Sequence, residues 1–379
     1  MATATTTCGA SRRSGAVDAA VYHGGVLATS DTRLERVKTS WRPRFLANGI
    51  EPFDYETTVA RIDRFEAWPD AWATTAREHE DRAEKAEQSG HAVTAAGFRR
   101  LAALAWHFGF FAHPRPLQPW LEAQRRKAAL FRKAAPFLRP PAEYIEVPFR
   151  DVKLPAYLRK PLDVERPPVV LFVSGLDSTK EEHTTFENVL LQRGLATLTF
   201  DGPGQGEVWE HLPGIVEWEQ AGSAMVDAVQ SRADLDGSRV GIVGVSLGGY
   251  LAPRCAALEP RIRTAAACGG LFQLGGRDLN DTLHGPRSFH FWNTDDAATL
   301  RSILERCTLD GIIQRMDRPL LVVHGERDDI TPVAGARRMY EAAGGPKEWV
   351  LFGEGNHVCN NIPHLYRPVV ADWLREHLA

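Results

Sequence analysis

The stretch GIVGVSLGGYLAP, residues 241–253, constrains the fold of this chain more than any other. A β-branched apolar run leads into Ser246, which stands between Gly244 and Gly248, and a helical pattern follows at once. Gly-x-Ser-x-Gly in a strand–turn–helix context reads as a nucleophile elbow, a strained turn in which the neighbours of the serine must lack side chains. The spelling alone is weak in a chain with 32 glycines, where a tight turn packed for its own sake looks the same. Its weight comes from what flanks it.

Downstream of residue 144, apolar runs and helical patterns alternate. VVLFVSG is followed by a helix over 185–193, ATLTFDG by a helix ending near Ala233, and RVGIVGVS by a helix over 247–258. IRTAAACGG, PLLVVHG and EWVLFG add three short apolar runs, and YRPVVADWLREHLA closes with a helix. Strands buried on both faces and separated by helices predict an α/β fold with a mostly parallel sheet. Upstream, residues 53–137 are rich in Ala, Glu and Arg with apolar positions three and four apart, which predicts three to five helices. The expected organisation is a flexible tail over 1–20, a helical cap over 21–143 and an α/β catalytic domain over 144–379.

A serine hydroxyl is a poor nucleophile at neutral pH and needs a base, and the base needs an orienting acid. PLLVVHGERDDITP supplies Asp328 and Asp329 after one apolar run, and EWVLFGEGNHVCNN supplies His357 after the last. The order Ser, Asp, His is the one expected of an α/β-hydrolase. Asp328 is preferred because it stands four residues after His324 in an HGxxDxxxP pattern, with Asp329 as the fallback. Each partner also has a plainer reading: either aspartate could cap the turn at Thr331-Pro332, and His357 is one of 13 histidines. Two backbone N–H groups are expected to form an oxyanion hole, those of Leu247 and, in LFVSGLDSTKEE, of Leu176, where Gly175 permits close approach. Asp177, Ser178 and Lys180 read as residues that cap and charge the next helix.

Other motifs carry less. DGPGQGE, residues 201–207, does not fit a dinucleotide fingerprint, and Pro203 removes a donor that a phosphate loop would use. Its Glu207 is a candidate cavity residue, with a surface carboxylate as the alternative. In LAALAWHFGFFAHP, Trp106 and His107 are candidate substrate contacts, against the commoner role of an aromatic stripe as core. His107 is the less comfortable of the two in a purely apolar setting. No H-E-x-x-H and no His/Cys cluster suggests a metal, and no cofactor is expected. The five cysteines are odd in number and dispersed, which fits reduced thiols in a cytoplasmic setting, and Cys359 reads as a core thiol. A formal net charge of -3 gives no sign of a nucleic-acid or membrane partner. The first residues lack the apolar core of a signal peptide, and no run approaches 18 apolar residues.

Together these residues resemble the α/β-hydrolase superfamily over about 145–379. SGLDSTKEE, FDGPGQGE, GVSLGGY and GEGNHVCNN resemble, more narrowly, the group of the 2,6-dihydroxypseudooxynicotine hydrolases and the FrsA-like esterases. RFLANGIEPFDYETTVARIDRFEAWPDAW is similar to the helical cap of that group. The resemblance implies a Ser246–His357–Asp328 triad, a cap that closes the cavity, and cofactor-free cleavage of a carbon–carbon bond beside a ketone in an aromatic or heteroaromatic compound. The group's extra acidic cavity residue has no clear match here, where GGLFQLGGRDLND offers Gln273 and Asp278. The same machinery would serve a carboxylesterase or amide hydrolase on a small acyl substrate, and a hydrolase fold can also persist as a non-catalytic binding module. The expected partner is a small-molecule carbonyl compound. Helical caps often supply interfaces, so a homodimer is the assembly to be expected if the chain associates.

Overall fold

The computed structural model describes residues 32–379. The expected tail over 1–20, the first residues of the expected cap and Cys8 lie outside the described residues. Six helices come first: α1 (Thr32–Ser40), α2 (Arg42–Ala47), α3 (Pro52–Val59), α4 (Trp68–Gln88), α5 (Ala92–Phe110) and α6 (Leu117–Ala134). Of these, α1 and α2 precede the stretch whose spacing predicts helix; both are short and rich in arginine, so no apolar stripe marks them. The helix α5 is buried along most of its length because alanines let α4 and α6 close on it, and Gly109 lets the Trp72 side chain approach. A Cβ at Gly109 would stand 2.8 Å from that of Trp72. Around this contact Phe45, Trp68, Trp72, Phe108 and Phe111 form an aromatic core.

Strands then alternate with helices: β1 (Ala142–Phe149), β2 (Val152–Arg159), β3 (Pro168–Val173), α7 (Thr184–Leu191), β4 (Ala196–Phe200), α8 (Glu219–Gln230), β5 (Asp236–Val245), α9 (Gly248–Leu258) and β6 (Ile262–Cys268). After them come α10 (His284–Phe291), α11 (Ala297–Arg306), β7 (Leu320–Gly325), α12 (Val333–Ala342), β8 (Lys347–Phe352) and α13 (Pro363–His377). The strands form one sheet in the order β1-β2-β4-β3-β5-β6-β7-β8. The pairs β1–β2 and β2–β4 are antiparallel, and all others are parallel.

The central strands read as unbroken apolar runs because both faces are covered. Along β3, Val169, Leu171 and Val173 enter one core while Val170 and Phe172 enter the other. Each such side chain contributes roughly 1.5–3 kcal/mol on burial. The pairs Val173↔Gly244, Val245↔Cys268 and Gly325↔Phe352 set the C-terminal ends of β3, β5, β6, β7 and β8 along one edge. Open α/β sheets bind their ligands at that edge. The helical region sits over it, and the four described cysteines are buried and free. Among the described residues no helix is long and apolar enough to cross a membrane.

Candidate active site

At the end of β5 the chain must turn from strand to helix within one residue, and Ser246 takes that turn at φ 58°. A non-glycine residue in the left-handed region is held there only if its surroundings overdetermine it. Here they do. The Ser246 N–H donates to Cys268 O at 2.9 Å, and its carbonyl accepts from Gly249 N–H at 2.9 Å. The flanking glycines are sterically required: a Cβ at Gly244 would fall 1.9 Å from Gly248 O, and one at Gly248 would fall 2.2 Å from Val173 O.

The loop after β7 brings Asp328, and the turn after β8 brings His357. Ser246 Oγ lies 2.9 Å from His357 Nε2, and His357 Nδ1 lies 2.8 Å from Asp328 Oδ2. Asp328 also accepts from Ile330 N–H (2.9 Å), Thr331 N–H (2.8 Å) and Thr331 Oγ1 (2.6 Å). Burial opposes its ionisation, but the His357 imidazole and the bonds from His357 and Thr331 outweigh it and hold the carboxyl at about 2. Asp328 is therefore a carboxylate at neutral pH. Asp329 instead lines an open groove and makes no bond to His357, whose Nδ1 is held by Asp328 and Thr331.

The loop after β3 runs directly beside the serine. A Cβ on Gly175 would lie 3.3 Å from that of Ser246, tight enough to favour glycine there. Gln205 Nε2 donates to both Ser174 O and Gly175 O at 3.0 Å. Because a trans peptide sets C=O and N–H on opposite sides, tethering Gly175 O to Gln205 turns Leu176 N–H the other way. Leu176, Leu247 and Gly175 all line the cavity that contains Ser246. The loop at 201–207 thus braces the site: Gln205 holds the strand end, and Gly206, at φ 43°, leaves room for the Asp201 carboxylate.

The helical region supplies the rest of the wall, through residues whose sequence context is unremarkable. Glu182, fully buried after β3, accepts from Arg44 Nε at 2.7 Å, Arg44 Nη2 at 2.8 Å and Asn48 Nδ2 at 2.7 Å. It also accepts from His107 Nε2 at 2.8 Å and Ser178 Oγ at 2.5 Å. Burial alone would raise its pKa, yet Arg44 and the bond from His107 drive it well below the usual carboxylate range. Asp177 binds Arg44 Nη1 at 2.8 Å and also pairs with Arg287 on α10. Burial is again outweighed, and Asp177 is held at about 2 by Arg44 and Arg287. Arg44 joins the two carboxylates across more than 130 residues of chain, so no local pattern reveals it.

The structure places several of the sequence candidates away from the cavity. His107 is buried but stands behind Glu182 and does not line the cavity, because its ring is spent on that carboxylate. Trp106, one helical step away, faces α4 and α6, where its Nε1 donates to Glu80 at 2.6 Å and its ring lies under Arg77 and Arg126. Glu207 is turned from the cavity by Lys180 Nζ at 2.6 Å and Arg132 Nη2 at 3.3 Å. Lys180, read as a helix-charging residue, is itself fully buried among Glu181, Asp201 and Glu207 at 2.6–2.8 Å, so its ammonium fills the centre of that acidic group. Asp177 likewise pairs with Arg44 and Arg287 rather than capping a helix, and Ser178 bonds within its own segment, to Glu182 and His183. The residues that sequence reasoning missed, Trp41, Arg44, Asn48, His284 and Arg287, all line the cavity.

Comparison with known proteins places this geometry among relatives. A family model described as esterase FrsA-like matches residues 50–274, and one for the prolyl oligopeptidase family matches residues 183–379. The 2,6-dihydropseudooxynicotine hydrolase of Paenarthrobacter nicotinovorans is 32% identical over 358 residues, covering 91% of this chain and 94% of that protein. The hydrolase acrC of Aspergillus aculeatus is 33% identical over 234 residues, covering 55% of this chain and 54% of the relative. The crystal structure of the 2,6-dihydroxy-pseudo-oxynicotine hydrolase superposes with a TM-score of 0.81 at 31% identity, covering 89% of this chain and 95% of that one.

Proposed function

This chain belongs to the FrsA-like family of α/β-hydrolases and is a hydrolase, and from that premise we propose that it is a cofactor-independent serine hydrolase cleaving the carbon–carbon bond beside a ketone in an aromatic or heteroaromatic compound. The observation that carries the mechanism is the continuous chain from Ser246 Oγ through both ring nitrogens of His357 to Asp328, at 2.9 and 2.8 Å. In it, His357 Nε2 takes the hydroxyl proton as Ser246 Oγ attacks the carbonyl carbon. Asp328 keeps Nδ1 protonated and stabilises the imidazolium. The developing oxyanion is met by the N–H groups of Leu247 and Leu176. Collapse breaks the bond to the leaving carbon, which takes the proton from His357 Nε2. Water, activated by the same imidazole, then hydrolyses the acyl-enzyme.

The likeness to a 2,6-dihydropseudooxynicotine hydrolase over nearly its whole length supports the choice of a ketone as substrate. The esterase description of the matching family model favours a second reading, hydrolysis of a small acyl ester, through the same acyl-enzyme. Product analysis on 1,3-diketones, acylphenols and aryl esters separates the two. Cleavage of esters alone would replace the first reading with the second. Failure of a fluorophosphonate to label Ser246 in folded protein would remove both and leave a binding module.

A further inference from the structure

Four guanidinium groups face the cavity beside Ser246, those of Arg44, Arg277, Arg287 and Arg367, against two carboxylates, Asp177 and Glu182. The pairing uses them unequally. Arg44 engages both carboxylates. Arg367 is satisfied by neutral acceptors, Ala47 O at 3.1 Å, Thr185 Oγ1 at 2.9 Å and Asn48 Oδ1 at 2.9 Å. Arg287 pairs through Nη1 with Asp177, donates from Nε to Leu283 O at 2.7 Å and lays its face on Trp41, 4.5 Å from the ring centre. Its Nη2 is buried and has no partner. Arg277 makes no hydrogen bond or ion pair among the described residues, although it is half-buried.

Arg277 also has a distinctive place. It lines both the cavity and an open groove bordered by Arg36, Asp281, Asp329 and Arg338, so it stands where the two meet. Of the carboxylates around it, Asp177 is paired with Arg44 and Arg287, Asp281 accepts from Leu283 N–H, His284 N–H and His284 Nδ1 and lies 3.6 Å from Arg36, and the exposed Asp278 and Asp329 line the groove without pairing with Arg277. His284 and His183 add no positive charge at neutral pH, since burial pushes both down to about 3. Burial likewise pulls Arg277 below its ordinary value, with Asp281 and Asp177 only partly opposing. A partly desolvated guanidinium that no carboxylate pairs with directly is costly and is relieved by an anion placed against it.

We propose that the cavity selects carbonyl compounds bearing an anionic oxygen group, a carboxylate or a phenolate, and that Arg277 at its mouth, with Arg287 behind it, receives that group. This rests on the hydrolase reading above and names the substrate class of the same site. The test measures inhibition of 4-nitrophenyl acetate hydrolysis by benzoate against benzamide, and by 4-cyanophenolate against 4-cyanoanisole, in wild type, R277K, R277Q and R277E. We expect each anion to inhibit competitively and more strongly than its neutral counterpart, and that preference to fall about 10- to 100-fold in R277Q. R277K should retain part of it, and R277E should reverse it. The stronger of the two anions identifies the group. Equal inhibition by anion and neutral analogue in wild type, or a preference unchanged in R277Q, overturns the proposal. If wild type neither hydrolyses the ester nor takes a fluorophosphonate label, the hydrolase reading fails alone, and calorimetric titration of benzoate into wild type and R277Q decides the anion site.

Discussion

The two sides of the cavity are built by different means. On the sheet side, position comes from the backbone: strand ends in register, one residue at positive φ, and glycines that let chain lie against chain. On the helical side, position comes from side chains that reach across the interface, with Arg44, Asn48 and His107 converging on Glu182. In the proposed mechanism the first kind of construction fixes the reaction type, because Ser246, His357 and Asp328 follow strand ends that the sheet makes coincide. The second fixes what may enter, because its charges and aromatic faces are free to differ while the sheet stays the same.

Substitutions that strike one side only would sharpen this contrast. The largest effect is expected from Ser246→Ala, which should lower kcat on the order of 10⁴-fold or more while urea denaturation stays near wild type. Residual turnover within tenfold of wild type would remove Ser246 from the chemistry. Next, Glu182→Ala should lower the unfolding free energy by about 3–5 kcal/mol, since it leaves Arg44 buried without its main counter-charge. A loss under 1 kcal/mol by denaturant titration would mean that the helical side does not depend on this carboxylate.

Acid should act on both sides together. Asp177 and Asp328 stand at about 2 in the folded protein against an ordinary 3.8. The unfolded chain therefore binds the protons first, so the stabilisation is complete above about pH 4 and is lost as pH falls toward 2, on the order of 2 kcal/mol for each group. A stability profile flat across that window would contradict both assignments. Smaller still, Gln205→Ala should reduce kcat by about tenfold with little change in KM, as expected of a positioning residue whose loss loosens an oxyanion donor. At the bottom of the scale lies Arg125–Glu210, an exposed ion pair at 3.0 Å. Arg125→Ala should change stability by under about 1 kcal/mol.

What the sequence revealed follows the same division. Ser246, Asp328 and His357 were legible because each lies a few residues beyond an apolar run, and local order along the chain reports on geometry when the sheet is parallel. Spacing to His324 favours Asp328 over Asp329, and in the structure His324 donates to Thr331 O at 2.7 Å and so fixes the turn around the carboxylate. Chemical character singles out Trp106 and His107, yet one helical step of about 100° sends the first toward α4 and the second to Glu182. Arg44 was invisible for the opposite reason: an arginine in SWRPRFLANG carries no local chemical signature, and its partners lie 133 and 138 residues away. Helices α10 and α11 were also missed, being polar and bounded by no strand-like run.

The bonds that converge on Glu182 bear on how the chain is made. A ribosome releases α1 to α6 before β3 has emerged, so Arg44, Asn48 and His107 leave the tunnel ahead of their common acceptor. Until residue 182 has cleared the exit tunnel, the helices can gather around their aromatic core but cannot bury those donors without leaving them unsatisfied. The final seating of the first third of the protein therefore waits on translation of the second.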